Sequence, residues 1–395
     1  MSLFKQRAGT TATELIPART SGSTRGGVVV TNETALRHSA VWACLRLRAN
    51  LISTMPVDLY RRIDGIQFEL TKPKLLVMPG GDKVDMAEWL YSTQVDLDRS
   101  GNCFGLITER DGFNLPARID LLSLGSVSVV VKNGEIVNYR IDGELVGPRN
   151  VWHERQYTVA GLCVGLSPVA YAAWSIGEYL SIQDFALDWF GNSTVPVAHL
   201  KNTSARTLSE AQAQALKERF QSNVKAGQPW VTGNDWEYNP LQAANQQTDW
   251  IEGKQYGIAD IARFFDCPGD LIDAAVSSGN ITYANVTQRN LQFLIQNLNP
   301  AVIRREGALT RASAQGRYVK LNTNALLRMD PETQAKVIAA RIDSRTLAPS
   351  EARAIYDMTP FTEAQVAEFK TLFGDPAAKA ALPIGGAKKP TGVTP

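Results

Sequence analysis

The feature that most limits the possible folds is a long apolar periodicity close to the middle of the C-terminal half. Its members recur mostly at three- and four-residue steps, with one longer gap, which predicts a single helix with an apolar stripe: Tyr283, Val286, Leu291, Leu294, Leu298 and Val302. Pro300 removes a backbone donor, and its ring clashes with the preceding turn. We therefore expect the helix to kink, or to end, near Gln296.

The sequence around this helix is unusually poor in charge. No charged side chain lies between Asp273 and Arg289, and the small residues Ser277, Ser278 and Gly279 offer little to pack, so a mobile polar loop is predicted before the helix. Amide side chains flank the stripe where a solvated helix usually has Lys and Glu: Asn290, Gln292, Gln296 and Asn297.

Length and composition exclude several classes of protein. A chain of 395 residues exceeds the roughly 250 to 300 at which a single core stops growing, so two or more packed regions are expected. The 41 Lys and Arg balance 39 Asp and Glu, which is not the basic excess typical of nucleic-acid-binding domains. No apolar run reaches the roughly 18 residues of a membrane helix, and no signal peptide is evident, so we expect a soluble protein that is not exported. The four cysteines form no CxxC pair and are interpreted as buried thiols.

The order of elements predicts an α+β fold. Residues 1–30 lack periodicity and are expected to form a flexible arm. Residues 31–167 combine helices with strands separated by Asp-Gly and Asn-Gly turns, which favour hairpins. Helices are predicted from Pro168 to Asn192 and near 254–266, an isolated strand over 317–322, and further helices around 331–343, 349–356 and 361–373. The Gly-, Pro- and Lys-rich tail is expected to be disordered.

Catalytic signatures are almost absent. The chain has no GxxxxGK[ST] motif, and His153-Glu154 lacks the second histidine of HExxH. The acidic set Asp266, Asp270 and Asp273 could in principle hold Mg²⁺ or Ca²⁺ through carboxylate oxygens, but helix capping and loop solvation are the favoured interpretation. We therefore predict no enzyme activity and no cofactor, and keep a metal-dependent DNA-processing enzyme as the alternative.

Five segments in register carry a resemblance to a known family. They are HSAVWACLRLRANLISTMPVDLYRR, GLSPVAYAAWSIGEYLSIQDFALDWFGNSTVPVAHL, LSEAQAQALKERFQ, IADIARFFDCPGDLI and NITYANVTQRNLQFLIQNLNPAVIRREGALTR, together spanning about residues 31–330. In order and spacing the chain resembles the portal proteins of tailed double-stranded DNA bacteriophages, in the branch of the Hong Kong 97 type. One departure is Asp266-Cys267-Pro268-Gly269, where members often have a Val-Pro-Pro type sequence, and this puts the local loop shape in doubt.

The resemblance implies a ring-forming portal fold, usually dodecameric, with an α/β wing, a two-helix stem, a small α/β clip, a tunnel loop before a long kinked helix, and a short helical crown. Carried onto this chain, the expected regions are the arm 1–30, wing 31–167, first stem helix 168–192, clip 193–245, second stem helix 246–268, tunnel loop 269–282, long kinked helix with its return strand 283–329, crown 330–374 and tail 375–395.

The resemblance also implies roles for particular residues. Ser277, Ser278, Asn280 and Thr282 would line the DNA channel as the tunnel loop. Glu178, Asp184 and Asp188 would give the stem an acidic, channel-facing side, and Trp230, Asp235 and Trp236 would contact the terminase or an adaptor through the clip. Asn290, Gln292, Gln296 and Asn297 would hydrogen-bond to a neighbouring subunit without burying a charge.

The implied partners are other copies of the chain, the large terminase, a head-completion or adaptor protein, the major capsid and scaffold proteins, and double-stranded DNA that passes without sequence specificity. The implied function is a head-tail connector at one capsid vertex of the virion, assembled in the host cytoplasm, which serves DNA packaging and ejection and nucleates the capsid. No membrane partner is expected. Another ring-forming head adaptor is a further alternative, which the length disfavours because adaptors are usually much shorter.

Overall fold

The structure, a computed structural model, describes residues 12–16, 22–23, 29–192, 198–202, 209–215, 218, 236–240, 256–272, 283–323, 331–356 and 358–373. The chain divides into two compact units, Met1–Leu326 and Leu327–Pro395. The first mixes helices with sheets, in agreement with the α+β expectation, and the described part of the second is helical. No helix in these ranges is both long enough and apolar enough to cross a membrane.

The N-terminal residues differ from the flexible arm expected over 1–30, because parts of them form strands. β1 (Thr13–Leu15) pairs antiparallel with residues 129–131 of a later strand. β2 (Gly22–Ser23) pairs with β3 (Val29–Val30). Glu14 fixes β1 through a 3.3 Å ion pair with Arg140 Nε and a hydrogen bond from the Ser128 hydroxyl.

The first α-helix among the described residues, α1, extends over Ser39–Ser53. Its N-cap is His38, whose Nδ1 accepts a hydrogen bond from the backbone N–H of Ala40 at 3.2 Å. The Thr31 hydroxyl accepts a hydrogen bond from the backbone N–H of Thr34, the first residue of a preceding 3₁₀ turn, at 3.1 Å. Burial lowers the pKa of His38 to about 4, so the imidazole stays neutral near pH 7 and keeps the lone pair that caps the helix.

Antiparallel sheets and one further helix make up most of residues 57–155. The elements are β4 (Val57–Ile63), β5 (Ile66–Leu70), α2 (Met86–Ser100), β6 (Asn102–Arg110), β7 (Pro116–Leu121), β8 (Val127–Lys132), β9 (Glu135–Ile141), β10 (Glu144–Val146) and β11 (Val151–Arg155). One sheet has the strand order β1-β8-β9-β10 and another has β11-β6-β7.

Two of the three predicted hairpin turns in this region are confirmed. Asn133-Gly134 and Asp142-Gly143 each join two strands directly, and all four residues have positive φ angles, which Asn, Asp and Gly tolerate best. The prediction of a two-residue turn at Asp111-Gly112 is wrong, because the loop from Arg110 to Pro116 is longer. There the Asp111 carboxylate accepts from the N–H groups of Phe113 and Leu115, both at 2.9 Å, and this stabilises a longer loop.

The helix predicted to run from Pro168 to Asn192 is broken once. α3 (Pro168–Tyr171) is capped by Ser167, and α4 (Ala173–Asn192) follows after a one-residue interruption. The remaining elements of this middle region are β12 (Ala198–Asn202), which pairs with β13 (Trp236–Pro240), α5, described over 210–215, and α6 over 256–264.

The helices α1, α4 and α6 share one hydrophobic core. Their buried members include Val41 and Leu45 from α1, Ile176 from α4 and Ile261 from α6, and Phe265 follows directly after α6. All four cysteines are free and buried, as the sequence predicts, and Cys44 and Cys267 lie in this core.

The long helix does not end near Gln296, where a kink or an end was expected, but contains a π-helical turn there. It consists of α7 (Tyr283–Gln292), a π-helical turn (Phe293–Leu298) and α8 (Asn299–Arg311). Pro300 has no backbone N–H to donate to the preceding turn, and the π-helical turn lies directly before α8. The widened turn therefore takes the place of a break near Gln296. β14 (Arg317–Leu321) follows and pairs with β4 in a sheet of order β14-β4-β5.

The second unit contains α9 (Pro331–Asp343), α10 (Pro349–Ile355) and α11 (Glu363–Phe373), close to the predicted bounds. The guanidinium of Arg353 lies 4.2 Å from the ring centroid of Phe361, and that ring meets Phe369 edge-on at 5.2 Å. Of the apolar residues described here, only Ala352 is buried.

A buried network of charged and amide groups joins the first unit together. Arg48 of α1 and Asp98 of α2 form an ion pair at 3.1 Å, and each side chain is 2% exposed. Gln94 and Gln156 donate to the two oxygens of Asp98 at 2.9 Å and 2.7 Å. Burial lowers the pKa of Arg48, but the attraction of Asp98 outweighs it and the net shift is upward, so Arg48 keeps its charge.

The same network reaches the long helix at two points. Arg48 Nη1 donates to the carbonyl oxygen of Asn297, in the π-helical turn, at 3.4 Å. Arg305 of α8 donates to Glu154 of β11 at 2.7 Å and to the amide oxygen of Gln94 at 3.2 Å. Because leaving a buried charge unpaired is costly, these contacts hold the long helix in one position against α1, α2 and β11.

We expect Arg48→Met to reduce the free energy of unfolding by about 3 to 5 kcal/mol, because it leaves the Asp98 carboxylate buried without a counter-charge. Adding Asp98→Asn should recover more than half of that loss, since it removes the unpaired charge and its amide oxygen can still accept from one of the two glutamines, Gln94 or Gln156. Chemical denaturation measures both. Arg46→Met, on the exposed side of α1, is the control and should stay within about 0.5 kcal/mol of the wild type. A double variant as unstable as the sum of its single changes would contradict the role given to the network.

Candidate functional site

One side of the long helix is buried inside the subunit. Leu294, Leu298 and Val302 of the predicted stripe are buried, as expected, and Arg305 and Glu306 continue that side into α8. Glu306 accepts from the backbone N–H of Leu321 at 2.9 Å, which fastens α8 to β14. The helix is thus anchored along one side.

The other side carries apolar residues that nothing in the described part of the chain covers. Leu291, Ile295 and Ile303 are 42%, 57% and 56% exposed. Leu291 was predicted to belong to the buried stripe, and this is wrong, because its side chain is exposed whereas that of Leu294 is buried. Ile295 and Ile303 were missed, although apolar residues off the predicted stripe were a visible signal.

The π-helical turn brings these three residues towards one line. In a regular α-helix, twelve residues make roughly three and a third turns, so Ile303 would lie about a third of a turn away from Leu291. A π-helical turn holds more residues per turn, which reduces that offset. The three exposed side chains therefore lie closer to one line along the helix, and they are defined here as the apolar strip: Leu291, Ile295 and Ile303.

The predicted amide residues lie beside this strip. Asn290, Gln292 and Gln296 are exposed, and Gln292 donates to the amide oxygen of Gln296 at 3.1 Å. Asn297 is half-buried, and its backbone carbonyl is the acceptor for Arg48. Three of the four amides are therefore free to make polar contacts with another molecule.

An open cavity of about 700 Å³ lies between α6, the 3₁₀ turn Gly269–Ile272 and the start of the long helix. Its lining includes Arg263, Asp266, Asp270 and Gln296. Asp270 forms a 2.8 Å ion pair with Arg289, which ties the turn to α7. Residues 273–282, the predicted mobile loop, connect these two elements.

The metal-site hypothesis finds little support in this cavity. Asp270 is already paired with Arg289, and Asp266 sits at a turn with a positive φ of 51°. Asp273 lies outside the described residues. Within the part of the chain that the structure describes, no group of three His, Cys, Asp or Glu side chains could hold a metal ion.

The two helices expected to form a stem pack on each other. Ser175 of α4 donates to Asp260 of α6 at 2.5 Å, beside the apolar contacts of their shared core. Glu178 and Asp184 are exposed on α4, and Asp188 lies on the same helix. α4 contains no Lys or Arg, so its exposed charge is negative.

Other predicted site residues fall where the structure gives little or no description. The candidate loop residues Ser277, Ser278, Asn280 and Thr282 lie outside the described residues, as do Trp230 and Asp235. Trp236 is the first residue of β13. Their roles stay predictions.

The sequence pattern of a family described as "Phage portal protein" matches residues 39–357 of this chain. A "Probable portal protein" of Streptomyces phage phiC31 is 27% identical over 361 residues, covering 85% of this chain and 78% of the relative. The "Portal protein" of Enterobacteria phage HK97 is 25% identical over 362 residues, covering 87% of this chain and 84% of the relative.

Solved structures share the fold. A portal protein of the HK97 family from Corynebacterium diphtheriae superposes with a TM-score of 0.58 at 18% identity, covering 79% of this chain and 99% of that one. A chain in the neck of a native gene transfer agent particle, computed with C12 symmetry, gives a TM-score of 0.56 at 18% identity and covers 83% of this chain and 92% of that one. These likenesses agree with the mixed fold described above.

Proposed function

The chain belongs to the phage portal protein family, a structural class of virion protein, and from that premise we propose that it assembles into a closed ring around a DNA channel. The single observation that carries the proposal is the exposed apolar strip on a helix whose other side is anchored inside the subunit. Several large apolar side chains exposed along one helix favour an interaction site there. A ring covers the strip in every subunit at once, because a heterologous contact that closes leaves no free end.

Polar groups beside the strip fit the same interface. Asn290, Gln292 and Gln296 can each donate and accept across a subunit boundary, so specificity is added without burying a charge. Asn297 contributes less than the other three, because it is half-buried and its carbonyl is bound to Arg48. The neck of the gene transfer agent particle was computed with twelvefold symmetry, and twelve subunits is the number we propose here.

The channel side is assigned to α4 and to the uncharged loop before α7. DNA that must slide needs a wall that does not bind phosphates tightly, because each phosphate neutralised by Lys or Arg releases counterions and adds affinity. Glu178 and Asp184 are exposed on a helix without basic residues, and Asp188 is assigned to the same side. In the tunnel loop, 269–282, we assign DNA contact to Ser277, Ser278, Asn280 and Thr282.

The remaining regions take the roles of a portal subunit. We assign 31–167 to the wing, 168–192 and 246–268 to the stem, 193–245 to the clip, 283–329 to the long helix with its return strand, and 330–374 to the crown. The clip, with Trp230, Asp235 and Trp236, would meet the large terminase during packaging and a head-completion protein afterwards. The major capsid and scaffold proteins are the proposed partners of capsid assembly at the vertex.

The alternative of a metal-dependent DNA-processing enzyme is not favoured, since the family is a structural class and Asp270 is paired with Arg289. A separate head adaptor is not favoured either, because the family match extends over residues 39–357.

Replacing Ile295 by Asp should weaken ring formation, because it places a carboxylate in the apolar strip. Losing the burial of one isoleucine costs about 2 kcal/mol, which corresponds to roughly a 30-fold weaker contact at each subunit boundary. Mass photometry of the purified chain should show rings replaced by single subunits, while thermal unfolding of the subunit changes little.

The control for this variant is Leu145→Asp, which adds the same charge at an exposed apolar residue of β10. It should leave ring mass unchanged. Rings that persist equally in both variants would refute the assignment of the strip, whereas loss of folding in Ile295→Asp would appear in the thermal measurement.

Replacing Ser277 and Ser278 by Lys should leave ring mass unchanged and shorten the packaged DNA, because added phosphate contacts would slow sliding. The control adds two lysines in the wing, at the exposed residues Phe113 and Leu145. Gel analysis of DNA extracted from particles measures its length. Full-length DNA in the loop variant would contradict the proposal that the channel wall must bind DNA weakly.

A further inference from the structure

A second surface without a partner lies on the sheet β14-β4-β5, away from the long helix's apolar strip. One edge of this sheet is closed by α8, where Thr310 and Glu306 accept from the backbone N–H groups of Val319 and Leu321 at 3.0 Å and 2.9 Å. At the other edge, β5 has no neighbouring strand among the described residues.

One face of this sheet is buried at one end and exposed at the other. Val319, Leu59 and Leu70 are cross-strand neighbours, and the first two are fully buried. Two residues further along the same face, the cross-strand neighbours are Arg317, Arg61 and Phe68, all exposed. The sheet therefore extends beyond the core that covers its inner half.

The outer end of this face is apolar. Ile63 and Ile66, the next cross-strand pair, are 45% and 62% exposed, and Phe68 is 45% exposed. Together with Arg61 and Arg317, these residues define the outer wing face. It offers three large apolar side chains to solvent beside two guanidinium groups.

Ion pairs occur elsewhere on this sheet. Lys320 of β14 pairs with Glu306 at 2.7 Å, and Lys72, just after β5, pairs with Asp58 of β4 at 2.9 Å. Arg61 and Arg317 are direct cross-strand neighbours, yet neither side chain has a hydrogen-bond or ion-pair partner in the described ranges. Like charges held directly opposite each other repel, so this arrangement favours carboxylates supplied from outside the subunit.

We propose that the outer wing face docks an acidic, amphipathic segment of another protein of the assembling virion. Carboxylates of that segment would bridge Arg61 and Arg317, and its apolar side chains would cover Ile63, Ile66 and Phe68. Nucleic acid fits less well, because a phosphate backbone would pair with the arginines and leave the three apolar side chains in water. This inference goes beyond the ring and its channel, and the surface that carries it is separate from both.

The test places a photoreactive benzoylphenylalanine at Phe68 in the full chain, expressed in the phage-producing host and irradiated during head assembly. Mass spectrometry of the cross-linked peptides should identify a segment of a different virion protein that contains Asp or Glu together with apolar residues. The same probe at Phe113, which is 86% exposed on a loop of the wing, reports background. It should not capture that segment.

Charge variants decide whether the arginines carry the contact. Arg61→Glu should reduce the cross-link at position 68 at least tenfold, whereas Arg62→Glu, the next residue on the opposite face of β4, should leave it unchanged. Arg61→Gln serves as a milder second variant if the charge reversal impairs folding. Ring mass should match the wild type throughout, which separates this test from the proposed ring function.

Four outcomes would overturn the proposal. They are cross-links only to other copies of this chain, cross-links only to DNA, no cross-link above the Phe113 background, and equal loss in the Arg61 and Arg62 variants. The first of these would assign the face to contacts between subunits instead.

Discussion

The architecture depends on two arginines that are buried with their counter-charges. Arg48 and Arg305 lie 257 positions apart, yet Gln94 links them, because it donates to Asp98, the partner of Arg48, and accepts from Arg305. Each arginine also holds the long helix: Arg48 binds the carbonyl of Asn297, and Arg305 is part of α8. Buried ion pairs of this kind add little net stability compared with apolar packing, but breaking one is expensive. Their main consequence is specificity, because the long helix has one position in which all of these groups are satisfied.

That single position determines what the helix presents to the outside. With one side fixed by Arg305, Glu306 and the buried leucines, Leu291, Ile295 and Ile303 are left exposed to solvent. The π-helical turn strengthens this effect, since it brings the three residues closer to one line and supplies the carbonyl that Arg48 binds. These exposed apolar residues favour association of the subunit with copies of itself. The acidic α4 and the uncharged loop would then face the space that the proposed ring encloses.

Local features such as turns and helix bounds could be predicted from the sequence, whereas contacts between residues distant in the sequence could not. The Asn133-Gly134 and Asp142-Gly143 turns, the buried thiols and the helices of the second unit follow from residue preferences and were predicted correctly. The His38 cap, the strand at Thr13–Leu15 and the pairing of Arg305 with Glu154 depend on groups brought together by folding, and no periodicity encodes them. At the candidate site the amides were found from composition, whereas the exposed strip was missed because a strict α-helical period cannot anticipate a π-helical turn.

The most direct test of this account is a cryo-electron microscopy reconstruction of the assembled full chain. The account predicts a closed ring in which Leu291, Ile295 and Ile303 of every subunit are buried against the next subunit, with Glu178 and Asp184 facing the central opening. A closed assembly in which those three residues remain in solvent, or one in which α4 lies on the outside, would contradict it.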